Sequence, residues 1–310
     1  MKKLYIQAAV LVAGVAIGFN PGCAKKESGQ TDGRLKVVAT TGMIGDAVAE
    51  IAGDRVELYT MMGPGVDPHL YKATRGDIDH LHEADMVVYN GLHLEAKLVE
   101  VFEKMTDTKM VVAAADAIPD SLIRKGVMTH GQPDPHVWFD VSLWRYAVEN
   151  IGRSLLAADS ANARFYGENL DRYLVQLDSL HTWVRGEIVT IPKEQRVLVT
   201  AHDAFGYFGR AYDIEVEGLQ GISTVTEAGL YDVTNMVDVL VSRHIKAVFV
   251  ESSVPRKSID AVVEGCEARG HQIAIGGELF SDAMGAAGTP EGHYLGMVRH
   301  NVNLIVKALK

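Results

Sequence analysis

The sequence predicts an α/β fold of two lobes with parallel sheets, joined by a single long helix. Short apolar runs rich in β-branched residues alternate with amphipathic segments twice along the 310-residue chain. This alternation is typical of parallel sheets whose strands are covered on both faces by helices. A proline-free segment with apolar residues three to five positions apart, residues 161–189, separates the two alternating halves and indicates the long helix.

The first half, residues 35–158, is predicted to form the N-terminal lobe. Its strand-like apolar runs are residues 35–41, 56–62, 86–90 and 110–114. The amphipathic segments that we interpret as its helices are residues 44–52, 75–84, 96–104 and 142–158. Each helix thus follows a strand, as a parallel sheet requires.

Residues 159–191 are predicted to link the two lobes. Apolar residues recur from Phe165 to Val184 at helical spacing, and Pro192 ends the pattern. At 1.5 Å per residue this helix would be roughly 43 Å long, enough to run the length of a two-lobed molecule. Two ordinary helices with a turn near Gly167 or Gly186 are the alternative.

The remaining half, residues 192–310, repeats the plan and is predicted to form the C-terminal lobe. Its strand candidates are residues 196–201, 215–219, 247–251 and 272–276. Its helix candidates are residues 204–212, 228–244, 258–269 and a closing helix at 292–309.

The beginning of the chain indicates export. Residues 1–22 have the layout of a secretory signal peptide, a basic start before an apolar run that is too short for a transmembrane helix. Cys23 follows at the usual lipid-attachment position of a bacterial lipoprotein, and residues 23–34 are polar like a flexible tether. We therefore expect a periplasmic or otherwise extracytoplasmic protein that lipid on Cys23 anchors to the membrane. Cleavage without lipidation is the alternative.

The composition limits the possible partners and reactions. A formal net charge of -10 argues against nucleic acid as a partner. The common catalytic signatures are missing, since the chain has no His-Glu-x-x-His zinc-protease motif, no Gly-x-Ser-x-Gly motif and no glycine-rich phosphate loop. The sequence therefore favours a binding protein, and we do not expect an enzyme.

Four side chains have the chemistry of metal ligands and follow predicted strands. Asp-Pro-His occurs twice and ends on His69 and His136, while His202 and Asp282 follow strands of the second half. Loops at the carboxyl ends of parallel strands converge on a common site. Three imidazoles and one carboxylate are a suitable ligand set for one transition-metal ion.

Neighbouring residues suggest how these ligands are supported. The proline before each of the two histidines restricts the local backbone and lowers the cost of ordering the imidazole. Asp67 and Asp134 are placed to hydrogen-bond the backbone or to orient a ring. His93 and His130 lie in loops without further candidate ligands.

An enzymatic alternative stays open at this point. A mononuclear zinc metallohydrolase would use Glu251, at the end of a predicted strand, as its general base. Such an enzyme needs an open coordination position for water and a base within hydrogen-bond reach of it. A closed coordination shell would exclude that chemistry.

Six ordered motifs resemble the cluster A-I, or cluster 9, zinc and manganese solute-binding proteins of ABC importers. The motifs are Gly63-x-Gly65-x-Asp67-Pro68-His69-x-Tyr71, Asp134-Pro135-His136-Val137-Trp138, Thr200-Ala201-His202-Asp203-Ala204-Phe205-x-Tyr207, Gly221-Ile222-Ser223-Thr224-x-x-Glu227-Ala228-Gly229, Phe249-Val250-Glu251 and Leu279-x-Ser281-Asp282. The resemblance covers the chain after the tether. It implies two (β/α)4 lobes joined by one long helix, a metal ion in the cleft between them, and His69, His136, His202 and Asp282 as its ligands.

The resemblance also implies a cargo and a partner. The protein would bind one divalent ion per chain and deliver it to an ABC permease, and we expect it to be a monomer. Zinc is the first expectation because imidazole-rich sites suit zinc, with manganese, which favours more oxygen donors, as the second. A surface adhesin lipoprotein that a metal only stabilises is a further alternative.

Overall fold

The computed structural model describes Met1, residues 33–125 and residues 131–310. Most of the predicted signal peptide and tether, with Cys23, and also His130 lie outside the described residues. From Arg34 onward the chain forms one compact unit. No helix within the described part is both long enough and apolar enough to cross a membrane.

A four-stranded parallel sheet forms the centre of the N-terminal lobe. Its strands are β1 (Leu35–Ala39), β2 (Val56–Thr60), β3 (Met86–Tyr89) and β4 (Met110–Ala113). Their order is β2-β1-β3-β4, and Val37 of β1 aligns with Leu58 on one side and Met86 on the other. Because β1 is central, its apolar side chains are covered on both faces, as the sequence pattern predicts.

The helices of this lobe are α1 (Gly42–Ala52), α2 (Arg75–Glu83), α3 (Val99–Met105) and α4 (Val141–Ala158). Helix α2 starts with a capping box, in which Thr74 and Asp77 satisfy each other's backbone N–H groups. Asp140 caps α4 by accepting a hydrogen bond from the backbone N–H of Ser142. This cap fixes where α4 begins, five residues after His136.

A single helix, α5 (Ala163–Ile188), links α4 of the first lobe to β5 of the second and is 26 residues long. The two-helix alternative was wrong, because Gly167 and Gly186 lie within or near the end of continuous helix and face open space. The apolar stripe predicted from the sequence is buried, as Leu177, Leu180 and Val184 show. The helix packs against α1 and α4 of the first lobe and against α9 of the second, so it contacts both lobes.

The C-terminal lobe contains two pairs of parallel strands that lie side by side. Strand β5 (Val197–His202) pairs with β6 (Glu215–Gln220), and β7 (Ala247–Glu251) pairs with β8 (Ala274–Leu279). The helices are α6 (Gly206–Tyr212), α7 (Leu230–Ser242), α8 (Lys257–Ala268) and α9 (Tyr294–Leu309). Strands β5 and β7 are neighbours, so their carboxyl ends open on the same side.

Strand β8 begins and ends later than the sequence predicts. The predicted strand, residues 272–276, stops at a glycine pair, but β8 continues through Gly276 and Gly277 to Leu279. A Cβ atom on Gly276 would lie 2.6 Å from the ring of Phe249, so glycine is needed here for close packing and does not end the strand. The longer strand brings Asp282 to the edge of the cleft.

The largest hydrophobic cluster lies between the lobes and includes residues from both. Trp138 and Trp144 of the first lobe and Tyr294 of the second are at most 1% exposed. The Tyr294 hydroxyl donates to the carbonyl oxygen of Trp138 at 2.7 Å, and Nε1 of Trp138 donates to the carbonyl oxygen of Ser281 at 3.0 Å. The lobes are thus fused through a shared core, with the candidate site beside it.

Candidate metal centre

Four side chains from four loops or strand ends meet in the cleft. His69 follows β2, His136 precedes α4, His202 ends β5 and Asp282 follows β8. One ligand-type atom from each lies within 4.8 Å of all the others. We refer to these four residues as the ligand cluster. Its members are 0–5% exposed, so the cluster is closed to bulk water.

The distances within the ligand cluster are those of a coordination shell. Nε2 of His69 lies 3.3 Å from Nε2 of His136 and 3.6 Å from Oδ2 of Asp282. Oδ1 of Asp282 lies 3.4 Å from Nε2 of His136, and its Oδ2 lies 3.3 Å from Nε2 of His202. Ligands about 2.0–2.1 Å from a tetrahedral ion are about 3.3 Å apart, so the spacing fits one such ion.

Hydrogen bonding inside the ligand cluster is incomplete. Neither carboxylate oxygen of Asp282 receives an aligned hydrogen bond in the described part of the chain, and the same holds for both ring nitrogens of His202. Burying polar atoms without partners costs about 1–3 kcal/mol each. A cation at the centre would satisfy Nε2 of His202 and both oxygens of Asp282 together, whereas an ordinary structural cluster would leave them without partners.

Asp134 holds His136 at two points. Its Oδ1 accepts the backbone N–H of His136 at 3.0 Å and lies 2.9 Å from the ring atom Nδ1. The other oxygen, Oδ2, contacts Nη1 of Arg124 at 2.5 Å. With the Nδ1 proton directed to Asp134, the lone pair of Nε2 faces the centre of the cluster. Asp134 therefore orients the ring, as its place in the sequence suggested.

Glu251 holds His202 in the same way. Its Oε1 accepts the backbone N–H of His202 at 2.9 Å, and its Oε2 lies 2.6 Å from Nδ1 of the ring in an ion-pair contact. Glu251 ends β7, next to β5, and is 3% exposed. It lies behind the imidazole, on the side away from Nε2. A general base for a metal-bound water would have to lie on the other side.

Asp67 holds His69 differently. Its Oδ1 accepts the backbone N–H of His69 at 2.8 Å, but its Oδ2 accepts the hydroxyl of Thr224 from the C-terminal lobe at 2.6 Å. Within the described residues, no carboxylate makes a hydrogen bond or ion pair with the ring atom Nδ1 of His69. Gly65 makes the preceding turn with a positive φ of 71°, a conformation that suits glycine.

The pKa values of the four residues in the ligand cluster are set by burial and by neighbouring charged groups. Burial alone would lower the pKa of His136, but Asp134 and Asp282 raise it to about 9. Burial likewise opposes protonation of His202, yet Glu251 and Asp282 hold its pKa well above the usual range. Burial lowers the pKa of His69 to about 4. Burial would raise the pKa of Asp282, but His202 and His136 keep it well below its ordinary value.

Sequence reasoning missed a second polar cluster at the lobe interface. Asp46 of α1 lies 2.9 Å from Nδ1 of His293 and accepts the backbone N–H of Tyr294, the first residue of α9. No motif marks Asp46, because its partners come from the other end of the chain.

His93, a loop candidate, is not part of the ligand cluster. Cys266 is a buried free thiol.

Comparison with known proteins agrees with the fold and identifies the family. Residues 37–308 match the family model described as zinc-uptake complex component A, periplasmic. The chain belongs to this family. It is 49% identical over 304 residues to the zinc-binding protein TroA of Treponema pallidum, covering 98% of each chain. It is also 50% identical over 308 residues to the manganese-binding lipoprotein MntA of Bacillus subtilis, covering 98% of this chain and 99% of that protein.

The solved structure of the periplasmic zinc-binding protein TroA from Treponema pallidum superposes with a TM-score of 0.87 at 50% identity. The match covers 89% of this chain and 99% of that one, and it confirms the two-lobe α/β architecture. The family resemblance seen in the six motifs is therefore confirmed. The chain is a member of the zinc and manganese solute-binding proteins of ABC importers.

Proposed function

We propose that this protein captures one divalent transition-metal ion outside the cytoplasm through His69, His136, His202 and Asp282, and delivers it to a membrane ABC permease. The observation that carries this proposal is the spacing of the ligand cluster, 3.3–3.6 Å between ligand atoms, with buried atoms that lack other partners. Two ligands come from each lobe, so the ion would bridge the cleft.

Zinc is the proposed physiological cargo, with manganese as the second candidate. Three imidazole nitrogens and one carboxylate at tetrahedral spacing match the preferences of zinc. Manganese prefers more oxygen ligands, and in the described residues no second carboxylate joins the cluster. The relatives divide between the two metals by name, so homology does not decide the question.

The geometry argues against the hydrolase alternative. A catalytic zinc site keeps one position open for water, whereas four buried ligands here complete a tetrahedral shell. Both oxygens of Glu251 are directed to the backbone and Nδ1 of His202, so this carboxylate is not available as a base. We therefore propose a carrier without enzymatic turnover.

Elemental analysis of protein purified without added metal tests the cargo, and competition titration with Zn²⁺ and Mn²⁺ tests the preference. Metal at about 100 times its dissociation constant should stabilise the fold by roughly 2.7 kcal/mol. His202→Ala should lose most of that stabilisation, whereas His82→Ala, at an exposed position on α2, should keep it. Equal stabilisation of His202→Ala and the wild type by zinc would contradict the proposed ligand set.

We also propose that lipid on Cys23 anchors the mature protein and that it acts as a monomer. Relatives named as lipoproteins support the lipid anchor, together with the position of Cys23 after an apolar run. Mass spectrometry of the membrane fraction should find a lipid-modified Cys23 at the mature N-terminus. An unmodified thiol on a protein cleaved elsewhere would contradict the anchor.

A further inference from the structure

The three histidines of the ligand cluster are not supported equally. His136 and His202 each have a carboxylate that contacts both the backbone N–H and the ring Nδ1. The carboxylate next to His69, that of Asp67, contacts only its backbone N–H. Outer contacts to the ring fix its orientation and strengthen it as a ligand. The His69 ring is therefore the least restrained of the three.

The second oxygen of Asp67 connects the two lobes. Oδ2 accepts the hydroxyl of Thr224 at 2.6 Å, a hydrogen bond to a charged acceptor. Thr224 lies in the loop that follows β6 and is 7% exposed, whereas the next residue, Val225, is 63% exposed. A single carboxylate thus joins the backbone of His69 to a loop of the C-terminal lobe that reaches the surface.

Two other hydrogen bonds between the lobes involve residues buried in the shared core. Trp138 donates to the carbonyl of Ser281, and Asp46 accepts the N–H of Tyr294, and all of these residues except Asp46 are at most 1% exposed. These contacts are far along the chain from His69 and do not include its neighbours. Of the inter-lobe hydrogen bonds described above, the one between Asp67 and Thr224 is made by a carboxylate that also accepts the backbone N–H of a ligand histidine.

We propose that the Asp67–Thr224 hydrogen bond is a latch that positions His69, so that movement of the 221–229 loop frees His69 first and starts metal release. This inference rests on the proposed function, since it assigns a release route to the same metal. Loss of the latch removes one of the two anchors of Asp67 and loosens the backbone of His69. His136 and His202 keep both of their carboxylate contacts, so the other ligands stay in place.

Thr224→Val tests the latch because valine has nearly the shape of threonine without the hydroxyl. A buried hydrogen bond to a charged group corresponds to roughly 10- to 100-fold in an equilibrium constant. We expect zinc to leave Thr224→Val about tenfold faster than the wild type in stopped-flow release to a chelator. The rate of zinc association should stay within about twofold of the wild-type rate, since the four ligands of the metal-free site are unchanged.

Two further variants separate a positioning role from general loosening. Thr224→Ser keeps the hydroxyl and should restore the wild-type release rate. Thr234→Val removes an exposed hydroxyl on α7, whose hydrogen bond is to the Leu230 carbonyl in its own helix, and should release zinc at the wild-type rate. The Co²⁺ absorption spectrum of Thr224→Val should match that of the wild type, which would show an intact four-ligand shell.

Several results would overturn the latch. They are a wild-type release rate in Thr224→Val, an equal change in association and release, failure of Thr224→Ser to restore the rate, or an altered Co²⁺ spectrum. Tight zinc binding by the wild type with any of these results refutes the latch alone. A wild type that binds neither zinc nor manganese tightly refutes the proposed function, and the latch with it.

Discussion

Replacing Glu251 with glutamine should weaken metal binding although Glu251 does not contact the ion. The carboxylate accepts the backbone N–H of His202 through Oε1 and contacts Nδ1 through Oε2 at 2.6 Å. The backbone N–H and the Nδ1–H of His202 each require a hydrogen-bond acceptor. A glutamine amide offers one acceptor and one donor, so Glu251→Gln can satisfy only one of the two N–H groups of His202.

Either orientation of the amide has a cost that can be estimated. If its NH2 group faces Nδ1, the ring must carry its proton on Nε2, where it would face the ion and block coordination. If the amide is reversed, NH2 opposes the buried backbone N–H, which loses its partner at about 1–3 kcal/mol. That range corresponds to roughly 5- to 150-fold in affinity at about 1.4 kcal/mol per factor of ten. Changes of such outer contacts typically cost 10- to 100-fold.

The assay is competition for Zn²⁺ between the protein and a chromophoric chelator, with circular dichroism to show that the fold is retained. Glu264→Gln is the matched control, since it makes the same charge change at an exposed position of α8. The control should bind like the wild type. An affinity of Glu251→Gln within twofold of the wild type would refute the role of Glu251 in fixing the His202 tautomer.

The remaining predictions concern pH, packing and lobe movement. In the metal-free protein, these two histidines, His136 and His69, should favour the folded state most near pH 6.5. The contribution of His136, whose pKa is raised to about 9, is lost as pH rises from about 6.5 through 9. The contribution of His69, whose pKa is lowered to about 4, is lost as pH falls from about 6.5 through 4. Thermal denaturation with a chelator checks this, and zinc should remove the alkaline loss. Leu177→Ala, in the buried stripe of α5, should destabilise the fold by about 2–5 kcal/mol in urea without changing zinc affinity. A spin-label pair across the cleft should change by no more than a few ångströms on metal removal, on the order of the ~1–2 Å shifts of packed helices.

Much of the fold could be predicted from periodicity alone. The central strands β1 and β3 of the N-terminal lobe contain consecutive buried valines, Val37-Val38 and Val87-Val88, and α5 keeps helical spacing without a proline. The positions of strand ends are predicted less accurately, as β8 shows. Gly276 and Gly277 suggest a turn, but the first allows close packing on Phe249 and the second lies against Leu304. A packing requirement in three dimensions has no local sequence signal.

The outer contacts of the ligand cluster show the same limit. Asp67 and Asp134 precede their histidines by two residues, so the Asp-Pro-His motif suggests their roles directly. Glu251 is 49 positions from His202 and reaches it only because β5 and β7 are neighbours. The sequence could suggest Glu251 as a base but could not show which side of the imidazole it occupies. That orientation supports the proposed carrier over a hydrolase.

The shared core determines how the cargo can leave. A large aromatic side chain buries about 150–250 Å², worth about 4–6 kcal/mol at about 25 cal/mol per Å². Trp138, Trp144 and Tyr294 are at most 1% exposed at the lobe interface, so uncovering even half of these three would cost roughly 6–9 kcal/mol. The coupling energy that a bound partner typically provides is about 1–3 kcal/mol. A wide opening would thus cost more than such a partner typically provides, and we expect release to proceed through local contacts at the edge of the cleft.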